Sequence, residues 1–119
     1  MNYLANRPKE LLRTLIEYQL PIEPLLAELR GFGWDSGQDL VIVESTDISK
    51  ILQRYLDGHI TSEHVTDWAD LIECREDIGF RLEEAEFCTM TIFRLANPNI
   101  NGVVDMKLAK QIQQEITTL

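Results

Sequence analysis

The stretch from Asp47 to Asp77, DISKILQRYLDGHITSEHVTDWADLIECRED, decides how this chain folds. Ser45, Thr46 and Asp47 supply helix-capping chemistry just before Ile48, Ile51, Leu52, Tyr55 and Leu56, which recur at i, i+3, i+4, i+7 and i+8. That spacing puts five apolar side chains on one face of a helix. Asp57-Gly58 stops it, Gly58 being suited to a left-handed cap, and Thr61 can accept from a free amide at the start of a second helix. In the second helix Val65, Trp68, Ala69 and Ile72 face inward, while Glu63, Asp67 and Asp70 form a narrow acidic band on the other side. Two amphipathic helices joined by a tight turn are expected, the second carrying a stripe of carboxylates.

Outward from this pair the pattern stays helical. Asn6 and Pro8 read as a cap and an early-turn proline before Leu11, Leu12, Leu15 and Ile16, so a first helix is expected to end near Gln19. Pro21 and Pro24 set off a short piece with Leu25, Leu26 and Leu29, stopped by Gly31 and Gly33. Leu40-Val41-Ile42-Val43 is a β-branched run that suits either a buried strand or an extended connector. If it is a strand, residues 32–34 are the nearby candidate partner, giving a minimal β-hairpin over 32–43. Residues 81–96 read as a helix with Glu83, Glu84 and Glu86 at its start, where the macrodipole favours negative charge. Phe87, Met90, Ile92, Phe93 and Leu95 place its second half in the core. Asn97-Pro98 ends it, Asn101-Gly102 turns, and Asp105 can cap a last helix burying Leu108, Ala109, Ile112 and Ile116. The fold expected is mainly α: one domain, five or six helices in an irregular bundle.

The cluster Glu73-Cys74-Arg75-Glu76-Asp77 admits two readings. Were the helix to continue, Arg75 and Glu76 would turn toward the apolar face of Trp68 and Ile72, where charges need partners. Either the helix ends near Arg75 and these residues form an internal bridge or cap helix ends, or Glu73, Glu76 and Asp77 prolong the acidic stripe.

Chemistry-bearing motifs are sparse. His59, Glu63, His64 and Asp67 lack the HExxH spacing of a helical zinc site and read as solvated side chains near a helix start. Cys74 and Cys88 form no CxxC pair and read as reduced thiols of a cytoplasmic protein. There is no GxSxG elbow, no phosphate-cradling glycine loop and no window near the roughly 18 apolar residues of a membrane span. The amino terminus lacks a basic stretch followed by an apolar run. Neither a reaction nor a cofactor nor a metal is implied. With 20 acidic against 11 basic residues the chain carries a formal charge of -9, which repels nucleic-acid phosphates and attracts cationic surfaces. The expected partner is a protein with a basic surface, neither nucleic acid nor membrane, and the oligomeric state stays open.

The run Ile51-Leu52-Gln53-Arg54-Tyr55-Leu56-Asp57-Gly58-His59-Ile60-Thr61-Ser62-Glu63 resembles the opening of small bacterial immunity proteins of the colicin D type and of contact-dependent inhibition systems. That resemblance implies a cytoplasmic protein that neutralises a cognate toxin, often a nuclease, by covering its basic substrate cleft. Carboxylates would then stand in for phosphates: Glu63, Asp67, Asp70, Glu73, Glu76 and Asp77 on one surface, with Glu83, Glu84 and Glu86 as a second patch. The alternative is a regulatory, adaptor or self-associating helical domain without catalytic activity.

Overall fold

The structure is a computed structural model and describes residues 3–31, 41–75 and 77–119. It is mainly α. Seven helices occur among the described residues: α1 (Tyr3–Glu17), α2 (Glu23–Arg30), α3 (Ser45–Leu56), α4 (Ser62–Glu73), α5 (Ala85–Ala96), the single turn α6 (Pro98–Asn101) and α7 (Met106–Thr117). Two three-residue strands, β1 (Val41–Val43) and β2 (Ile78–Phe80), complete it.

The central helix pair forms where the apolar periodicity places it. Ile48, Ile51 and Leu52 of α3 and Val65, Trp68, Ala69 and Ile72 of α4 are all buried. At the turn between them Gly58 takes φ 82°, a left-handed conformation that favours glycine. Thr61 caps α4: its Oγ1 accepts from the His64 amide at 3.1 Å, and His64 Nδ1 accepts from the Thr61 amide at 3.0 Å. At α7, Asp105 accepts from the Leu108 amide at 2.8 Å. Helix α4 packs chiefly on α5 and α3 chiefly on α7. Gln113 of α7 donates to the Ser49 carbonyl of α3 at 3.1 Å.

Among the described residues the strand run finds a different neighbour from the one expected. Residues 32–34, the proposed first limb of a hairpin, lie outside the described residues. The partner of β1 is β2, paired in parallel with Val41 opposite Ile78 and Val43 opposite Phe80. A parallel pair needs a long crossover, and α3 with α4 supplies it.

Three further expectations are corrected. Helix α1 begins at Tyr3, so Pro8 lies inside it and not in the opening turn. The helix expected over 81–96 is preceded by β2 and opens with a separate 3-10 turn, Leu82–Glu84, before α5. On α5 the buried face is Cys88, Thr91, Ile92 and Leu95, whereas Met90 and Phe93 are 62% and 42% exposed. A single helical stripe can turn only one of these two sets toward α4.

Two side chains from the central pair finish α1. Tyr18 leaves the helix at φ 54°, and the last carbonyls find donors elsewhere. Trp68 Nε1 donates to Ile16 at 2.9 Å, and Arg54 Nη1 donates to Glu17 and Tyr18, each at 2.9 Å. The end of α1 is therefore held against α3 and α4.

Candidate functional site

Helix α4 is the element that organises charge on the surface. Its outward positions hold Glu63, Asp67, Asp70 and Glu73, all exposed, and the helix carries no lysine or arginine. Because Val65, Trp68, Ala69 and Ile72 pin the opposite face into the core, the carboxylates point outward. Among the described residues Glu73 receives only long contacts, 3.4 and 3.5 Å, from the Asn97 amide.

Depressions flank this ridge. One, of about 340 Å³, lies between α4 and the chain after α1, lined by Tyr18, Glu23, His64, Asp67 and Asp70 against leucine and isoleucine walls. Another, of about 330 Å³, lies toward Pro98 and Val103 and also includes Glu63 and Asp67. Asp67 thus borders both. A third, more apolar hollow of about 280 Å³ includes Asp70, Cys74, Arg30 and Arg75. Burial pushes the Tyr18 phenol above its usual range, and the negative charges of Asp67 and Glu23 push it further, against a smaller opposing effect of Arg54. Tyr18 and His64 meet edge to face with ring centres 6.2 Å apart.

Asp77 has to be removed from the surface set. It is 5% exposed and forms a two-pronged pair with Arg75, Nε to Oδ1 at 2.9 Å and Nη2 to Oδ2 at 2.8 Å. The helix ends at Glu73, and Arg75 forms an internal bridge, with Asp77 as its partner where Glu76 was expected. Glu76 lies outside the described residues.

The second patch divides. Glu84 is half-buried and accepts from the Ser45 amide at 3.0 Å and from Ser45 Oγ at 2.7 Å, which holds its carboxyl below the usual range and ties the 3-10 turn to the start of α3. Its oxygens are engaged inside the fold, so it leaves the partner-facing set. Glu83 pairs with Arg81 at 3.2 Å. Only Glu86 of this group is exposed without such a partner among the described residues. Asp47, expected as a cap, sits in the first turn of α3, accepting from the Glu44 amide at 2.9 Å and from Arg13 at 3.2 Å.

Tyr18, Glu23 and His64 were not singled out as site residues by sequence. His64 carried a readable signal, lying three residues after the Thr61 cap; the left-handed turn at Tyr18 that brings α2 beside α4 carried none.

The cysteines differ. Cys74 is exposed, with its thiol raised by partial burial and by Asp70 and Glu73, while burial and the nearby Glu84 and Asp47 push buried Cys88 up to about 11. Reaction with an aromatic disulfide reagent at pH 8 is expected to label one thiol in the folded protein, more slowly than a free cysteine peptide, and the second only after denaturation. Two fast equivalents in the native state would contradict this packing.

Among the described residues, no group of three or more His, Cys, Asp or Glu side chains is placed to hold a metal ion, and no helix is long and apolar enough to cross a membrane. No family model matches the chain, and no curated protein or solved structure shows significant similarity to it.

Proposed function

We propose that this chain is an acidic protein-binding module of the cytoplasm that neutralises a basic partner, in the manner of an immunity protein covering the substrate cleft of a cognate toxin, and that it performs no catalysis of its own. The observation that carries this reading is the α4 ridge: Glu63, Asp67, Asp70 and Glu73 exposed on a helix without a basic side chain, beside open hollows of about 330 and 340 Å³. The ridge would steer a cationic surface during encounter, and side chains seated in the hollows would supply most of the affinity. Glu86 would lie on a separate, weaker patch.

Reversing two charges at the centre of the ridge, Asp67→Lys with Asp70→Lys, is expected to slow association with a basic partner roughly tenfold or more at low salt and to flatten its salt dependence. Both side chains are exposed, so the melting temperature is expected to stay near that of the parent. Stopped-flow kinetics across a salt series decide the matter, and an unchanged rate constant would remove α4 from the interface.

A second reading, self-association, has its own observation. Met90 and Phe93 of α5, with Ile100 and Val103 beyond it, are 62%, 42%, 73% and 71% exposed. Large apolar side chains left exposed on the neighbouring elements α5 and α6 and just beyond them are candidates for a contact between copies. Size exclusion with light scattering tests this directly: a stable dimer weakened by Phe93→Ser would favour the second reading.

A further inference from the structure

We propose that the hollow between Tyr18 and α4 is a seat for one arginine side chain of the basic partner; this rests on the proposed function and names its central contact. Tyr18 is 2% exposed, yet its hydroxyl makes no hydrogen bond with any described group. Among the described residues no fully buried side-chain oxygen or nitrogen lacks a partner, so this hydroxyl keeps some exposure, and Tyr18 lines the hollow together with the acids whose charges act on its phenol. A polar atom so placed is short of a hydrogen bond that an incoming group could supply.

The surroundings select the group. Carboxylates reach the hollow from two elements, Glu23 from α2 and Asp67 and Asp70 from α4, and among the described residues no lysine or arginine lines it. These acids are not arranged to hold a metal ion. Nearby Arg54 has its Nη1 donor committed to the Glu17 and Tyr18 carbonyls. His64 is fixed by its cap, Nδ1 being occupied as an acceptor. The remaining wall is apolar, including Leu26 and Leu71, suited to a methylene stem or to the flat face of a guanidinium. A planar fork of five N–H donors can serve carboxylates on both sides and the phenol oxygen together, whereas an ammonium brings three donors and a tighter hydration shell.

The test titrates labelled protein, followed by amide chemical shifts at low salt, with acetyl-Gly-Arg-Gly-amide, its lysine and citrulline counterparts, and nona-arginine. The arginine tripeptide is expected to shift the amides of residues 18, 23, 64, 67 and 70 with a Kd on the order of millimolar. The lysine peptide should bind several-fold more weakly and the citrulline peptide not at all. Tyr18→Phe deletes only an oxygen that has no hydrogen-bond partner among the described residues, so it should fold normally and weaken the arginine tripeptide about three- to tenfold. If the tripeptide shifts cluster elsewhere, or Tyr18→Phe binds it as the parent does, the seat is wrong. Nona-arginine moving α4 amides in that case would overturn the seat and leave the binding face standing; failure of both ligands to perturb α4 would overturn the two together.

Discussion

Replacing Trp68 with alanine is expected to remove about 3–5 kcal/mol of stability from the lost core volume alone. Trp68 is completely buried on α4 and also donates to the Ile16 carbonyl at 2.9 Å, so the substitution both opens a cavity and strips a donor from the end of α1. An unpaired buried carbonyl adds about 1–3 kcal/mol. Set against the roughly 5–15 kcal/mol total of an ordinary domain, the variant should be close to unfolding at room temperature. Urea titration followed by far-ultraviolet circular dichroism measures it, with Trp68→Phe separating the two contributions because it retains much of the volume and loses the N–H. A loss under about 1.5 kcal/mol for the alanine variant would mean that α1 is not anchored on α4 as described.

Arg75→Ala should be nearly as damaging, for an electrostatic reason. It leaves the Asp77 carboxylate, 5% exposed, without the guanidinium that holds both its oxygens, and removing one member of a buried pair typically costs about 3–5 kcal/mol. For a chain of this length that corresponds to a fall in Tm of roughly 10–20 °C. The Asp77 backbone carbonyl also accepts from Val41 at 3.4 Å, so the strand pair should loosen with it. Replacing both partners, Arg75→Met with Asp77→Leu, is expected to recover most of the loss. Asp77→Asn should likewise lower Tm while leaving the rate of association with a basic partner unchanged in the folded fraction. A slowed association at normal Tm would return Asp77 to the binding surface.

The contrast between Asp70 and Asp77 shows what the sequence can carry. Helices α4 and α7 were legible because apolar period and capping residue agree locally: Thr61 and Asp105 make the hydrogen bonds their positions suggest. Helix α3 was legible from its period, while its cap falls on Glu44, one residue before the Ser45–Asp47 run. The inward and outward faces of α4 followed from the same arithmetic, which is why Glu63, Asp67, Asp70 and Glu73 are exposed. Past Glu73 the helix stops, and helical arithmetic stops with it. Whether Asp77 lies inside or outside depends on β1 and on the chain around Arg75, neither of which is local. Strand β2 had no signal of its own either: Ile78-Gly79-Phe80 shows no long alternation, and its partner comes from beyond two helices. On α5 the residues Cys88, Thr91, Ile92 and Leu95 compete with Met90 and Phe93 for the core, and hydrophobicity alone favours the bulkier set. The contact of α4 decides for the former. Tyr18 was hidden for another reason, since nothing in a tyrosine announces a left-handed turn.

The central claim is that the exposed carboxylates of α4 bind a cationic protein. Its most direct test is capture from a lysate of the source cells at low and moderate salt, with the parent chain and the Asp67→Lys, Asp70→Lys variant immobilised side by side and the eluates compared by mass spectrometry. The expected result is one basic protein held by the parent, released as salt rises, and absent from the variant at every salt. A basic protein retained equally by both chains, or no protein distinguishing them at low salt, would contradict the account.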